Sequence, residues 1–187
     1  MPRNFMFTKD EIIDAALDIV REKGFSAVSA RALGCKLGTS SRPVFSYFEN
    51  MSDVQKGIID AAEKIYSSYI REDMASGKYP PYKASGIAYI RFAREEKELF
   101  KLIFMRDRSR EDTKKFSPER DMLIELISNQ VNISKEEASN FWLEMWAYVH
   151  GIATMIATGY LDWNDELVSR SLTDAYLGLK YRYENKI

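Results

Sequence analysis

Residues 29–50 read SARALGCKLGTSSRPVFSYFEN, and this stretch decides the fold of the N-terminal part of the chain. Ser29 is a typical helix N-cap, and Gly38 is the residue type that ends a helix in the left-handed conformation. Ser40 follows as a second N-cap, so the pattern predicts two short helices joined by a tight turn. Residues 44–48 then supply apolar side chains that can anchor the second helix. This is the helix-turn-helix arrangement.

A longer helix precedes this stretch, and further helices follow it. Two capping boxes are present, Thr8-Lys9-Asp10-Glu11 and Ser134-Lys135-Glu136-Glu137. In each, the first and the last side chain satisfy each other's backbone N–H group at the start of a helix. Gly24 is placed to end the first of these helices near Lys23. Asn50 starts a helix with a 3.6-residue apolar period up to residue 76. Five more helices are expected at about 82–94, 95–104, 118–132, 134–158 and 165–183, with a charged loop at 106–115.

The residue counts exclude several classes of protein. The chain has 187 residues, with one cysteine and one histidine. These cannot form an internal disulfide, a cysteine-rich metal site or the usual zinc site. The sequence also lacks paired carboxylates in an apolar stripe and a phosphate-binding glycine loop, so an enzyme is not expected. We predict no metal and no cofactor, and we expect Cys35 to be a small buried residue.

The chain shows no signal for export or membrane insertion. A run of charged residues starts at Lys9, so residues 1–4 do not lead into an apolar segment of signal-peptide length. The longest uncharged run, 145–161, contains His150 and two glycines and has no flanking cluster of basic residues. It predicts a buried helix rather than a membrane span. The protein is therefore expected in the cytoplasm, without a membrane partner.

The overall charge at first argues against a nucleic-acid partner, because 27 basic residues stand against 28 acidic ones. The local distribution is more informative. Residues 29–47 contain three basic residues, Arg31, Lys36 and Arg42, and no acidic residue. A protein with this balance is expected to hold DNA mainly as a dimer at a specific site, and poorly at random sequences.

Five short motifs follow one another in residues 8–62: Ile12-x-x-Ala15-Ala16, Lys23-Gly24-Phe25, Ser29-x-Arg31-x-Leu33, Leu37-Gly38-Thr39-Ser40 and Val44-Phe45-x-Tyr47-Phe48-x-Asn50. In this order and spacing they resemble the TetR family of transcriptional regulators, whereas any one of them would be weak evidence alone. A looser similarity lies in Trp146-x-x-x-His150-Gly151, which looks like a signature in the ligand-binding part of some members.

The resemblance implies an all-α protein of about nine helices in two domains. Residues 1–50 would form a three-helix DNA-binding domain with the helix-turn-helix, and residues 51–187 a helical domain for effector binding and dimerisation. Ser29 and Arg31 would contact phosphate or a base edge. The other residues implied at the DNA are Ser40, Ser41, Arg42, Pro43, Phe45, Ser46 and Tyr47.

Two departures from the family pattern predict modest DNA affinity. Phe45 stands where the family usually has tyrosine, and Met51 where it usually has lysine, so two phosphate contacts are missing. Pro43 is tolerated in the first turn of a helix, but it disfavours helical dihedral angles at Arg42. Arg42 is expected to read guanine O6 and N7, with a solvated surface residue as the alternative. For Arg31 the alternative is an ion pair with an acidic neighbour.

Aromatic and polar residues recur at every fourth position of the predicted helix 134–158, from Trp142 to Thr154. Residues at this spacing share one helix face. Indoles in line with an imidazole and a hydroxyl indicate an apolar pocket with a few orienting polar groups, and ordinary core packing is the alternative. The predicted effector site comprises Tyr89, Phe100, Phe104, Trp142, Trp146, His150 and Thr154.

The last two helices are expected to form a homodimer. Small residues on the penultimate helix would let another helix approach closely, and regularly spaced apolar residues follow on the last helix. Together they indicate a four-helix bundle built by two protomers. The residues concerned are Ala147, Gly151, Ala153, Ala157 and Gly159, with Leu167, Leu172, Ala175 and Leu179.

The main hypothesis is a ligand-responsive transcriptional regulator. It would be a repressor that binds a palindromic double-stranded DNA operator and is released by a small apolar or aromatic effector. In a dimer, two helix-turn-helix motifs related by a twofold axis read half-sites whose centres lie about 34 Å apart, or a multiple of that distance. The alternative is a helical interaction or ligand-binding protein with a weakened DNA-reading surface, as Phe45 and Met51 suggest. A small helical enzyme is a third interpretation, and no group of residues supports it.

Overall fold

The computed structural model describes residues 7–109 and 119–186, and every regular element within them is helical. These described residues form eight α-helices, where the sequence predicts about nine, and the all-α prediction is confirmed. The helices are α1 (Lys9–Lys23), α2 (Ala30–Lys36), α3 (Met51–Ala75), α4 (Pro81–Glu95), α5 (Lys97–Phe104), α6 (Arg120–Val131), α7 (Lys135–Ala157) and α8 (Asp165–Asn185), with 3-10 turns at Phe25–Ala27 and Val44–Ser46.

Both predicted capping boxes that start long helices are confirmed. At α1, the Thr8 N–H donates to Glu11 Oε2 at 2.7 Å, and the Glu11 N–H donates to Thr8 Oγ1 at 3.2 Å. At α7, Ser134 and Glu137 form the same pair of bonds at 2.9 and 3.2 Å. These bonds join residues three apart, so the local sequence is enough to set both helix starts. The predicted loop at 106–115 lies mostly outside the described residues, as do residues 1–4 and the predicted helix start at Pro118.

The second helix of the predicted helix-turn-helix pair is not an α-helix. The chain turns there and forms one 3-10 turn at Val44–Ser46. Pro43 disfavours helical angles at the residue before it, so a helix cannot extend back to Ser40. Asn50 already caps α3 by accepting a backbone N–H at 3.1 Å. The segment left between Pro43 and Asn50 has six residues, fewer than α2, which is the shortest α-helix of the described residues with seven.

The described residues form two compact units. The first holds the described residues up to Ile65 together with Glu96–Arg106. The second holds Tyr66–Glu95 together with the described residues from Asp107 onward. Helix α5 belongs to the first unit because it packs against α1. The functional boundary expected at residue 50 stays a prediction, since compact packing alone does not define a functional domain.

In the first unit, α1 packs against both α2 and α5. The Arg21 guanidinium on α1 donates to the two carboxylate oxygens of Glu96, at 2.9 and 2.8 Å, and so holds the start of α5. The buried apolar side chains of this unit include Ile12, Ala16, Val20, Leu33, Val44, Phe48, Val54, Ile58, Leu99 and Phe100.

Gly34 sets how closely the turn after α2 approaches that helix. A Cβ atom added at Gly34 would lie 2.8 Å from the Ser40 carbonyl carbon and 3.0 Å from Ser41 N, both backbone atoms. The Gly34 carbonyl also accepts from the Thr39 N–H at 2.8 Å. The turn leading to Val44–Ser46 therefore packs on the backbone of α2 without an intervening side chain.

In the second unit, α7 packs against α4, α6 and α8. Arg94 at the end of α4 donates to the Asp165 carboxylate and to the Trp163 carbonyl, which ties the start of α8 to α4. Helix α7 carries most of the uncharged run 145–161, yet no helix in the described part of the chain is long and apolar enough to cross a membrane. The buried apolar side chains here include Ala88, Phe92, Ile127, Phe141, Met145, Ile152, Val168 and Leu172.

Replacing Gly34 by alanine should destabilise the first unit, because the added methyl group meets backbone that cannot rotate away. Overpacking costs about 1–3 kcal/mol, and the better helix propensity of alanine returns up to about 1 kcal/mol. Urea unfolding measures the loss. The matched control is Cys35→Ala at the exposed neighbouring position, which should stay within about 0.5 kcal/mol of wild type. A Gly34→Ala variant as stable as this control would contradict the tight contact.

Candidate nucleic-acid interface and aromatic cluster

We call residues 40–47 the recognition segment, because the sequence predicts most DNA contacts there. Its inner side is fixed by Val44, which is fully buried, and by Phe48 immediately after it. Its outer side exposes Arg42 and Ser46, together with Phe45. The exposed fraction of Phe45 is 47%, so the prediction that it anchors the segment along with Val44 and Phe48 is wrong. The remaining predicted contact residues lie on the same segment: Ser40 is exposed, and Ser41, Pro43 and Tyr47 are half-buried.

Helix α2 begins about one turn before Gly34, the residue on which the turn to the recognition segment packs. Ser29 Oγ accepts from the Ala32 N–H at 3.2 Å, so the predicted N-cap is confirmed. Arg31 follows in the first turn of α2 and is exposed. Contacts of Ser29 and Arg31 with DNA stay predictions.

The three basic residues of 29–47 have different surroundings. Lys36 Nζ lies 2.7 Å from Glu22 Oε1 and 3.5 Å from Asp18 Oδ2, and the hydrogen bond to Glu22 raises its pKa. Arg31 and Arg42 form no ion pair with any residue of the described ranges. Of these three basic side chains, the two arginines are therefore the ones available to phosphate groups or base edges. No pattern in the sequence indicates this pairing of Lys36, because it joins two helices and residues 14 positions apart.

Cys35 is exposed, so the expectation of a buried cysteine is wrong. Helix α2 has seven residues, and only Leu33 and Gly34 in it are buried. A helix this short turns one narrow face inward, and Cys35 lies outside that face.

The predicted ring series along α7 is present. Trp142 and Trp146 stack with centroids 6.1 Å apart and planes at 18°, and Trp146 and His150 stack at 5.0 Å and 14°. The Arg120 guanidinium carbon lies 5.3 Å from the Trp142 ring. The four-residue spacing therefore brings these three rings into one column, which we call the aromatic cluster.

Tyr89 on α4 joins the aromatic cluster through its hydroxyl group, which lies 2.9 Å from His150 Nδ1. The bond joins α4 to α7, and which of the two groups donates depends on the ring nitrogen of His150 that carries the proton. The sequence included Tyr89 in the predicted site but could not show this bond, which joins residues 61 positions apart.

Both titratable groups of the cluster are held neutral. Burial raises the pKa of Tyr89 well above its ordinary value, with a smaller contribution from Tyr66. Burial also lowers the pKa of His150 below 6.5. One turn further along α7, the Thr154 hydroxyl oxygen is buried and accepts or donates no hydrogen bond within the described part of the chain. The cluster thus combines flat apolar rings with a few uncharged polar atoms.

Two residues of the predicted effector site are not part of the aromatic cluster. Phe100 and Phe104 belong to the first compact unit, where their ring centroids lie 5.2 Å apart. Phe100 is fully buried there. Their role in effector binding stays a prediction, whereas Tyr89, Trp142, Trp146 and His150 lie together in the second unit.

A polar groove runs between α4 and α8 of the second unit, and no sequence pattern predicts it. Lys83 Nζ donates to Thr173 Oγ1 at 2.8 Å and lies 4.9 Å from the centre of the Tyr79 ring. Its charged lining differs from the apolar site that the sequence predicts. The other lining residues are Asp165, Glu166, Ser169, Arg170 and Asp174.

The outer faces of α7 and α8 differ in part from the predicted dimer face. Ala153, Ala157 and Leu172 are buried within the unit itself, so their prediction as contacts to a second protomer is wrong. They pack against the helices of their own unit. Of the other predicted residues, two are exposed, Ala147 and Gly159, and four are half-buried, Gly151, Leu167, Ala175 and Leu179. The exposed apolar residues that the sequence did not single out are Leu143, Tyr148, Leu177 and Tyr181.

No group of three or more His, Cys, Asp or Glu side chains in residues 7–109 and 119–186 is arranged to hold a metal ion.

Two family descriptions match the chain. Residues 12–55 match the description "Bacterial regulatory proteins, tetR family". Residues 82–176 match "Tetracyclin repressor-like, C-terminal domain". The first range contains α2 and the recognition segment, and the second contains the aromatic cluster.

Solved structures show the same fold. A TetR-like transcriptional regulator from Rhodococcus sp. RHA1 superposes with a TM-score of 0.65 over 94% of each chain, at 14% sequence identity. At this identity the similarity concerns the fold alone. A comparison with curated proteins gives no significant match.

Lowering the pH should weaken the second unit, because His150 must take up a proton where burial favours the neutral ring. The pKa of His150 is lowered from 6.5 in the folded protein, so the unfolded chain binds this proton more readily. The free energy of unfolding should therefore fall as the pH drops below about 6.5, and this fall should end once the folded protein is protonated as well.

Two measurements check this pH dependence. His150 is the one histidine of the sequence, so a single imidazole signal in an NMR titration gives its pKa. The control His150→Asn keeps a hydrogen-bonding side chain beside Tyr89 but does not titrate, so its free energy of unfolding should vary less between pH values of about 5.5 and 7.5. An imidazole in the wild type that titrates at or above 6.5 would contradict the assignment.

Proposed function

The chain belongs to the TetR family of bacterial transcriptional regulators, and we propose that it is a repressor whose dimer leaves its operator when a small apolar or aromatic effector binds. The family membership makes it a regulator with a helix-turn-helix DNA-binding domain. Repression, the effector and the dimer surface are the parts of the proposal that experiments must test. The protein would act in the cytoplasm, and the proposed function includes no catalytic step.

The observation that carries the proposal is the outer side of the recognition segment. Arg42 and Ser46 are exposed there, while Val44 is buried and holds the segment on α2. Arg42 forms no ion pair with the described residues, so its guanidinium can bond to guanine O6 and N7 without first leaving such a pair. Arg31 supplies a second basic group one helix earlier.

The aromatic cluster supports an uncharged aromatic effector. Stacked indole rings bind flat apolar molecules, and Tyr89 and His150 are both held neutral by burial. A cationic ligand would find no counter-charge in these rings, and the Arg120 guanidinium beside Trp142 is itself positive. The Thr154 hydroxyl, without a partner within the described residues, is a candidate for orienting such a molecule.

The exposed apolar residues of α7 and α8 support the homodimer. Leu177 and Tyr181 are 54% and 63% exposed, and they lie four residues apart on one face of α8. Leu143 and Tyr148 on α7 are exposed as well. Helices that present such side chains gain stability when a second copy covers them.

Helix α3 is the element that we assign to signal transmission. It begins directly after the recognition segment, at Met51, and contributes residues to both compact units. An effector that shifts the part beyond Tyr66 would change the separation of the two recognition segments in a dimer. A coupling free energy of about 1–3 kcal/mol would be enough to release the operator.

The alternative is an interaction or ligand-binding protein whose DNA-reading surface has weakened. Phe45 and Met51 favour it, because neither can bond to phosphate. Salt dependence separates the two proposals. A DNA-binding regulator should lose affinity steeply with rising salt, with a log–log slope of about −0.9 for each phosphate contacted, and a weakened surface should show no such slope.

Arg42→Ala should weaken binding to a selected operator by about 30-fold or more, since each bidentate guanine contact contributes about 1–3 kcal/mol and a dimer loses two of them. The operator is obtained by selecting duplexes from a random library with the purified wild-type protein, and binding is measured by fluorescence anisotropy. Arg170→Ala, which removes an exposed arginine from α8, is the matched control and should bind as the wild type does. Equal affinity of the Arg42 variant would exclude this residue from DNA recognition.

Leu177→Glu should convert the dimer to monomers, because it puts a charge where the partner helix would remove water. Sedimentation velocity measures the change in mass. Leu177→Met keeps an apolar side chain and should remain dimeric. A dimer that persists in Leu177→Glu, with unchanged affinity between protomers, would move the interface away from this face of α8.

A further inference from the structure

The exposed Phe45 ring is the least expected feature of the recognition segment. Its neighbour Val44 is fully buried and Phe48 is 5% exposed, so the segment has an apolar inner side. Phe45 is 47% exposed on the other side. The fold therefore holds a large apolar side chain outside the core, between the exposed polar residues Arg42 and Ser46.

The chemistry of the DNA major groove limits what this ring can contact favourably. The base edges there carry hydrogen-bond donors and acceptors, and the C5 methyl group of thymine is the apolar exception. A phenyl ring has no donor for a phosphate oxygen. If it lay against polar base edges, their atoms would lose water without gaining a hydrogen bond. A thymine methyl group avoids this cost and is itself removed from water.

We propose that Phe45 is a specificity-determining residue that reads the C5 methyl group of one thymine in each half-site of the operator. This inference rests on the proposed DNA-binding function and adds to it the identity of a base. Arg42 and Phe45 then divide the reading of the half-site. The guanidinium recognises hydrogen-bond acceptors, and the phenyl ring recognises a methyl group.

Removal of single methyl groups from the DNA tests this directly. Each thymine of the selected operator is replaced in turn by deoxyuridine, which lacks only the C5 methyl group. At one thymine of each half-site, the wild type should lose affinity by about fourfold, which corresponds to burial of one methyl-sized group. The Phe45→Ala variant should bind thymine and deoxyuridine operators equally at that position.

Two controls separate methyl reading from other roles of the ring. Phe45→Leu retains an apolar contact and should keep part of the preference for thymine. Val44 and Phe48 stay in place, so all Phe45 variants should unfold at the wild-type urea concentration. If no thymine shows a methyl effect that disappears in Phe45→Ala, or if the operator contains no thymine, the inference is wrong.

The outcomes for the inference and for the proposed function are distinct. An operator that requires Arg42 but is indifferent to every methyl group contradicts only the role of Phe45. A uniform loss of affinity in Phe45→Ala, the same with thymine and with deoxyuridine, identifies the ring as a contact to the sugar-phosphate backbone and also overturns the inference. If the wild type selects no DNA sequence at all, both proposals fail.

Discussion

The close approach of two backbone segments at Gly34 is the constraint on which the rest of the first unit depends. The backbone of Ser40 and Ser41 occupies the space that any side chain at position 34 would need. With the turn fixed there, Val44 enters the core and the opposite side of the recognition segment faces outward. The exposure of Arg42 and Phe45 is therefore a consequence of how the turn packs on α2. Their availability to DNA follows from backbone geometry as much as from their own chemistry.

The sequence predicted the parts of the fold that depend on neighbouring residues. Thr8 with Glu11, and Ser134 with Glu137, set helix starts through bonds that span three positions, and both starts are where they were expected. The helix expected from Ser40 is absent because its length is limited from both sides, by Pro43 and by the cap of α3. Both the proline and the cap residue are visible in the sequence. Together they leave too few residues between them for an α-helix.

The second unit shows the same division between local and distant interactions. The four-residue spacing of Trp142, Trp146 and His150 predicted their alignment, and their rings do stack. The bond from Tyr89 joins two helices that are far apart in the sequence, and periodicity cannot reveal such a partner. For the same reason, small residues on a helix do not show which neighbour they serve. Ala153 and Leu172 pack inside their own unit, so the outer face is left to residues such as Leu177.

The central claim is that the recognition segment and the start of α2 meet DNA, while the aromatic cluster does not. Amide hydrogen exchange of the full-length protein, with and without the selected operator, tests it most directly. The account predicts that DNA slows exchange in peptides covering residues 29–47, and leaves peptides covering the aromatic cluster on α7 unchanged or faster. Slower exchange confined to α7 and α8, with residues 29–47 unaffected by saturating DNA, would contradict it.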